Sequence, residues 1–510
     1  MKGRAINLPE PAAARVQSAW WESRGFAAAL ILLSIVPLLY PPFPPLVDLP
    51  GHAARYRLAL GASPFLDQFY GFGWLPIGNL GIDLIAVPLA NWIGVEPATK
   101  YAVLLIPPLT VGGMLWMAHE AHGRLPPTAA FAVPLTYSQP FLFGFVNFAL
   151  AMALALLVFA LWLRLGRLGR WRLRAAVMVP LGFLVFFAHI FGWAVLGLIC
   201  FLAEVVRQHY RDQGWMRAAV RAVPHAAALA LPLLVIVVWR SEGAGLGTEW
   251  SISDKAFHFV AMLRDRWLLA DTASVFALVA LALFAKDDRR MAWARALLVP
   301  ALALFLLFLL LPHWVFGSAY ADMRLAPFAM LLLILAIGTT APRDERLARL
   351  LAFAAVLFAV LRIGATTVSL AIASDAQQAR LAALDHIPPR SRVAVLVENR
   401  CNAWALPRND HLASFALIRR ESFVNDHWHL PGGTLVSVHY RGAAPFEADP
   451  SQLVVEPGCD KALTVNQAVE RLPAGAFDML WLIDGPPRPS PKGWALHWAG
   501  EGSRLYVPAR

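Results

Sequence analysis

Leu46-Val-Asp-Leu-Pro-Gly-His-Ala-Ala-Arg-Tyr56 sets an acid, a histidine and an arginine directly behind the first long apolar run, Gly25 to Tyr40. On a helix Asp48, His52 and Arg55 are spaced by four and then three residues, so they share one face. Pro50 places the helix start near itself, so Asp48 also reads as an N-cap, and the two roles are compatible.

Outward from this stretch the chain is apolar. Of 510 residues, 58% are hydrophobic and 15% charged, with mean hydropathy +0.56. A soluble chain of this length lacks the polar surface to cover so much apolar material, so an integral membrane protein is expected. Runs at Gly25 to Tyr40, Phe145 to Leu163, Val223 to Trp239 and Leu297 to Leu311 approach the roughly 20 residues that cross a hydrocarbon core. Lipid offers the backbone no partners, so these runs must be helical and the fold mostly α.

The net charge of +11 does not point to nucleic acid, because the basic residues sit in short connectors. They group as Lys2, Arg4, Arg15 and Arg24; Arg164, Arg167, Arg170, Arg172 and Arg174; Arg207, Arg211, Arg217 and Arg221; Lys286, Arg289 and Arg290; Arg343, Arg346 and Arg349. Positive charge stays inside, so all five groups are expected on the cytoplasmic side, as is the N-terminus. The segments around Asp48, His189, Glu242 to Leu268 and His313 to Arg324 then face outward. Window length gives about eleven crossings, with Leu75 to Val95 either a span or a helix in the interface. Residues 1–374 form the expected transmembrane domain, with a first external loop at 41–74. The run Pro41-Pro-Phe-Pro-Pro45 follows the first span without a small-residue cleavage site, so that span is expected to remain as an anchor.

After a last span at Leu350 to Ala373, residues 375–510 read as an external α/β domain. Strands are expected at Val393 to Val397, Gln452 to Val455, Phe477 to Ile483 and Arg504 to Val507, and helices near Ala376 to Leu384 and Val465 to Leu472. Leu430-Pro-Gly-Gly433 reads as a turn rather than a phosphate loop. Cys401 and Cys459 both fall in this domain, which leaves a disulfide and two free thiols open.

Several further polar residues lie in apolar surroundings. His189 marks an external turn, where an imidazole serves structure or function. His313, Asp322 and Arg324 cluster at the outer end of a span, and Arg324 also reads as an interface anchor. Counting from Arg349, Arg362 lies roughly 20 Å into the membrane and needs an anionic partner, either a lipid phosphate or an internal carboxylate. Asp83 is the expected second carboxylate, and Asn147 is read as pinning neighbouring helices. His119-Glu-Ala-His122 lacks the one-turn spacing of a metalloprotease pair.

Asp48-Leu-Pro-Gly-His-Ala-Ala-Arg55, together with Gly144-Phe-Val-Asn-Phe148, His189-Ile-Phe-Gly192 and Ala321-Asp-Met-Arg324, resembles the GT-C superfamily of membrane glycosyltransferases. The resemblance implies inverting transfer of a sugar from a polyprenyl-phosphate carrier to a glycan, lipid or protein acceptor outside a bacterial inner membrane. It makes Asp48 the general base. Arg324 and Arg362 become candidates for the donor phosphate, supported by His52 and Arg55, with His189, His313 and Asp322 nearby. It implies neither metal nor cofactor. The commonest family form has two adjacent acids in the first loop, whereas Leu49 follows Asp48 here. The competing classes are a transporter or flippase, whose buried charges would line a path through the membrane, and an envelope scaffold.

Overall fold

The computed structural model describes residues 19–61, 63–211, 214–238, 249–314, 320–340, 343–429, 434–459 and 462–509. Lys2, Arg4 and Arg15, residues 242–248 of the expected outer loop and the Leu430-Pro-Gly-Gly433 turn lie outside these residues.

Among the described residues, six helices are long and apolar enough to cross a membrane: Val95–His122, with one break in its winding, then Val146–Arg167, Trp171–Ala188, Ile190–His209, Leu268–Asp287 and Glu345–His386, whose last turn tightens. Shorter apolar helices occupy Arg24–Leu38, Asp83–Ile93, Arg295–Leu310 and Ala326–Leu335. The chain is a multi-pass membrane protein. The region expected as one span at Val223 to Trp239 is instead interrupted: Pro224 sits within Trp215–Ala226 and a tight turn at Ala227–Ala230 precedes Leu233–Val238. Proline removes a helical hydrogen bond and crowds the preceding turn.

Val146–Arg167 is the central helix, buried along most of its length. Ile106–His122 approaches it closely because Gly113 has no side chain; a Cβ there would stand 2.8 Å from the Leu156 Cβ. At the periphery Glu345–Leu381 is two-sided. Leu350, Phe353, Leu357, Val360 and Leu361 are exposed, whereas Ala348, Leu351, Ala352, Ala355 and Ala359 are buried. An outer face of that kind suits lipid, where apolar exposure has no cost.

The same helix runs past residue 375 without interruption, so the expected boundary between the two domains falls inside a continuous element. Beyond it a mixed sheet forms. Strand Arg392–Asn399 is parallel to Phe423–Val424, Leu453–Val455 and Met479–Ile483. Ser503–Pro508 then pairs antiparallel with Met479–Ile483 and with Trp494–Gly500. All four expected strands are present, and Cys401 is disulfide-bonded to Cys459.

The loop between the first apolar helix and Asp83–Ile93 is built into this domain. Tyr70–Phe72 pairs antiparallel with Val436–Val438, and the Tyr70 hydroxyl donates to the Val424 carbonyl at 2.6 Å. Arg57 pairs with Glu421 at 2.9 Å, and Arg408 donates to the Pro45 carbonyl. Helix Leu49–Ala59 is thereby clamped between membrane helices and sheet.

Candidate active site

Asp48 ends the loop Pro41–Val47 and caps Leu49–Ala59 through its backbone carbonyl, which accepts from His52 N at 3.1 Å; its carboxylate makes no capping bond. The carboxylate is left for other work. Its backbone N donates to the Phe143 carbonyl at 2.9 Å, and Gly144 packs against it at φ +100°. A Cβ on Gly144 would stand 2.6 Å from the Asp48 nitrogen, so only glycine permits this seat.

The C-terminal domain surrounds that carboxylate with acids and imidazoles. His411 Nε2 lies 3.8 Å from an Asp48 oxygen and 3.9 Å from an Asp449 oxygen, while His411 Nδ1 sits 2.8 Å from the Asp426 carbonyl. Asp449 accepts from Gln452 at 2.7 Å, Asp410 from Asn399 at 2.8 Å and Asp426 from Ser414 at 3.0 Å. Trp428 lies against both His411 and His52, with ring centres 4.5 and 5.1 Å away. Asp410, His411, Asp426 and His427 are buried, whereas the Asp48 and Asp449 side chains keep 13% and 19% exposure. Asp48 and Asp449 are thus the acids of the cluster that still reach solvent.

Burial raises the Asp48 carboxyl well above the usual range, the charges of Asp449 and Asp410 add to this, and Arg324 opposes it. Burial likewise lifts Asp410 to about 7 and Asp426 to about 8. It keeps His52 and His427 neutral, His427 at about 3. Arg324 falls to about 10 by burial and so stays charged at neutral pH; its guanidinium lies 4.4 Å from the Phe145 ring centre. Tyr320, at φ +60°, packs its ring 5.3 Å from Phe143, and the field of Asp48 reaches its hydroxyl.

Of the residues expected from sequence, Asp48, His52 and Arg324 converge here. Arg55 turns away to form a buried ion pair with Asp83 at 2.7 Å, and Asn147 donates to Asp83 at 2.8 Å while accepting from Ile82 N at 2.6 Å. Arg362 finds its anion inside the protein, Asp271 at 2.8 Å, an acid that also accepts from the Trp404 indole and from Asp265 N. His189 Nδ1 accepts from Phe191 N at 3.1 Å, capping Ile190–His209, with its ring edge-on to Phe148.

Asp322 accepts from Lys255 at 2.6 Å and sits 3.1 Å from His313 Nδ1, with His258 stacked on His313 at 5.4 Å. Ligand atoms of His258, His313 and Asp322 lie within 4.8 Å of one another, the spacing of a cation site, and the Lys255 ammonium supplies positive charge there. At His119-Glu-Ala-His122, Glu120 instead pairs with Arg164 and Arg167, and His122 faces the Leu335 carbonyl.

The half of the site contributed by the C-terminal domain carries its own sequence signal. The tripeptide Asn-Asp-His occurs twice, at Asn409-Asp410-His411 and Asn425-Asp426-His427, and both copies meet beside Asp48.

No family model and no curated protein matches the chain. Among solved structures it is similar to the apo crystal structure of ArnT from Cupriavidus metallidurans, at 13% identity and TM-score 0.44, covering 94% of this chain and 97% of that one. It is also similar to the cryo-EM structure of the arabinofuranosyltransferase AftD from Mycobacteria, at 14% identity and TM-score 0.45. That likeness covers 96% of this chain but 40% of AftD.

Proposed function

We propose that the chain is a membrane glycosyltransferase that moves a sugar from a polyprenyl-phosphate carrier to an acceptor hydroxyl, with Asp48 as general base. One observation carries the reading: Asp48 is a partly exposed acid with the His411 imidazole 3.8 Å away, placed where burial and neighbouring acids raise its proton affinity. A base works best when its proton affinity lies near the working pH.

In the proposed step the acceptor oxygen attacks the anomeric carbon from the face opposite the phosphate. Its proton passes to Asp48. The carbon–oxygen bond to phosphate breaks, and the electron pair leaves on the phosphate, giving inversion. Arg324 supplies the fixed positive charge that balances the departing group. His411 holds Asp48 and Asp449 apart, and neutral His52 presents a hydrogen-bonding edge beside them. Asp83 acts through Arg55, anchoring the helix that carries His52, while His189, His313, Asp322 and Arg362 hold neighbouring elements in place. No cofactor is invoked. A bacterial inner membrane location, with this acid cluster facing the periplasm, agrees with the Cys401–Cys459 disulfide of the same domain, a bond that persists in oxidising compartments.

The test is sugar transfer by purified protein in lipid vesicles, using a panel of polyprenyl-monophosphate sugars. Asp48→Asn should cut the rate about 10²–10⁴-fold at unchanged donor affinity. Transfer at the native rate by that variant removes the proposal.

A further inference from the structure

A large cavity opens in the C-terminal domain, away from the acid cluster but sharing a wall with it. Its volume is about 1620 Å³, beyond the roughly 300–1,000 Å³ of a small-ligand pocket, so it suits an extended molecule. It lies at the carboxyl ends of the parallel strands. Arg392–Asn399 delivers Asn399 and Arg400 to it, Leu453–Val455 is followed by Glu456, and Met479–Ile483 by Asp484. Open parallel sheets bind ligands at that edge because the strands end there together and their connecting loops diverge to leave a crevice.

The lining is cationic. Seven arginine and lysine side chains face four acids, and two of those acids are already matched, Glu398 by Arg488 and Asp484 by Arg380. Arg266, Arg400 and Lys492 have no ion-pair partner among the described residues. Arg264 is held by the carbonyls of Trp404 and Ala403, at 2.6 and 3.0 Å, which fix its position without neutralising it. Glu456 and Glu470 are the unmatched acids, so positive charge remains in excess. Among the described residues no aromatic ring lines the cavity, which leaves charge and hydrogen bonding through Asn399, Asn409, Asn466 and Ser490 as its means of recognition.

The wall toward the active site is one stretch of chain. Arg408 and Asn409 face the crevice, and the next two residues, Asp410 and His411, face Asp48. Asn399 joins the two sides directly by donating to Asp410 at 2.8 Å.

We infer that this crevice is the acceptor subsite and that it takes an acidic oligosaccharide, one bearing carboxylate or phosphate groups. The inference rests on the glycosyltransferase reading for the word acceptor and on the crevice alone for the ligand class. Arginine forks pair bidentately with either group, and a glycan held there presents a hydroxyl along the 408–411 wall toward Asp48.

Calorimetric titration of the full-length protein in nanodiscs tests this with three probes: an oligogalacturonate, a phosphorylated mannan oligosaccharide and neutral maltotetraose. At least one acidic probe should bind roughly tenfold or more tighter than the neutral one, with affinity falling as salt rises; whichever acidic probe binds identifies the group recognised. Arg266→Glu, Arg400→Glu and Lys492→Glu, each checked for an unchanged melting temperature, should each weaken that probe several-fold, while Asp48→Asn leaves its binding intact. Equal binding of acidic and neutral probes by the unaltered protein overturns the inference, and so does unchanged binding in all three variants. If Asp48→Asn abolishes transfer but charge reversal leaves the KM for acceptor unchanged, the subsite is wrong and the enzyme stands. If acidic glycan binds as expected yet Asp48→Asn transfers normally, the crevice stands and the catalytic reading falls.

Discussion

Asp271 is fully buried and Asp48 keeps 13% of its side chain exposed, and their surroundings differ in kind. Asp271 accepts from Arg362, from the Trp404 indole and from a backbone N–H. Asp48 is offered an imidazole at 3.8 Å, with two further acids pressing on it. The pattern extends outward: Asp83, Glu204, Asp265 and Asp322 are each matched by an arginine or lysine, whereas Asp410, Asp426 and Asp449 face amides, a hydroxyl and a histidine. Matched charges fix helices to one another. Asp410 and Asp426, lifted by burial to about 7 and about 8, exchange protons near neutrality, as groups at functional sites do.

The sharpest way to break this contrast is to exchange the two acids' roles by the same substitution. Asp48→Asn should lower transfer about 10²–10⁴-fold with little change in melting temperature. Asp271→Asn should do the reverse, costing about 3–5 kcal/mol of stability by stranding the Arg362 guanidinium, as read by thermal unfolding in detergent. Replacing Arg362 and Asp271 together by leucines should recover most of that loss, because no uncompensated charge is then buried. A stability loss at Asp48 equal to that at Asp271 would erase the distinction.

Gly144→Ala probes how finely the site is seated. The new Cβ meets the Asp48 backbone and occupies a left-handed conformation, so the carboxylate must shift. An ångström of displacement should lower the transfer rate about 10²-fold, measured at saturating donor, with a stability loss of about 1–3 kcal/mol.

The smallest effect is on pH dependence. Asp426 titrates near 8 in the folded chain against an ordinary value of 3.8, so the folded state binds its proton more tightly than the unfolded one. Its contribution is favourable while both states are protonated and is lost as pH rises from about 4 to about 8. Asp426→Asn should flatten the fall in melting temperature across that window. An unaltered profile would mean that Asp426 is not held protonated.

Much of the membrane architecture was legible from residue order. Apolar runs longer than any polar surface could cover dictate helices, because lipid leaves the backbone only its own partners. Alternation of apolar residues in the tail located all four expected strands. Asp48 stood out as an acid following an apolar span, and Arg324 as a guanidinium opening the next one.

What residue order left open was partnership. Arg362 required an anion, and only packing selects Asp271, 91 residues away, over a lipid phosphate. Arg55 shares a helical face with Asp48 in sequence, but the fold gives it to Asp83. The paired Asn-Asp-His tripeptides became part of a site only when the C-terminal sheet closed over the first loop. Helix and strand periodicity are local properties written every few residues, whereas the proton affinity of an acid depends on charges and burial supplied by distant chain, and those exist only once the chain has folded.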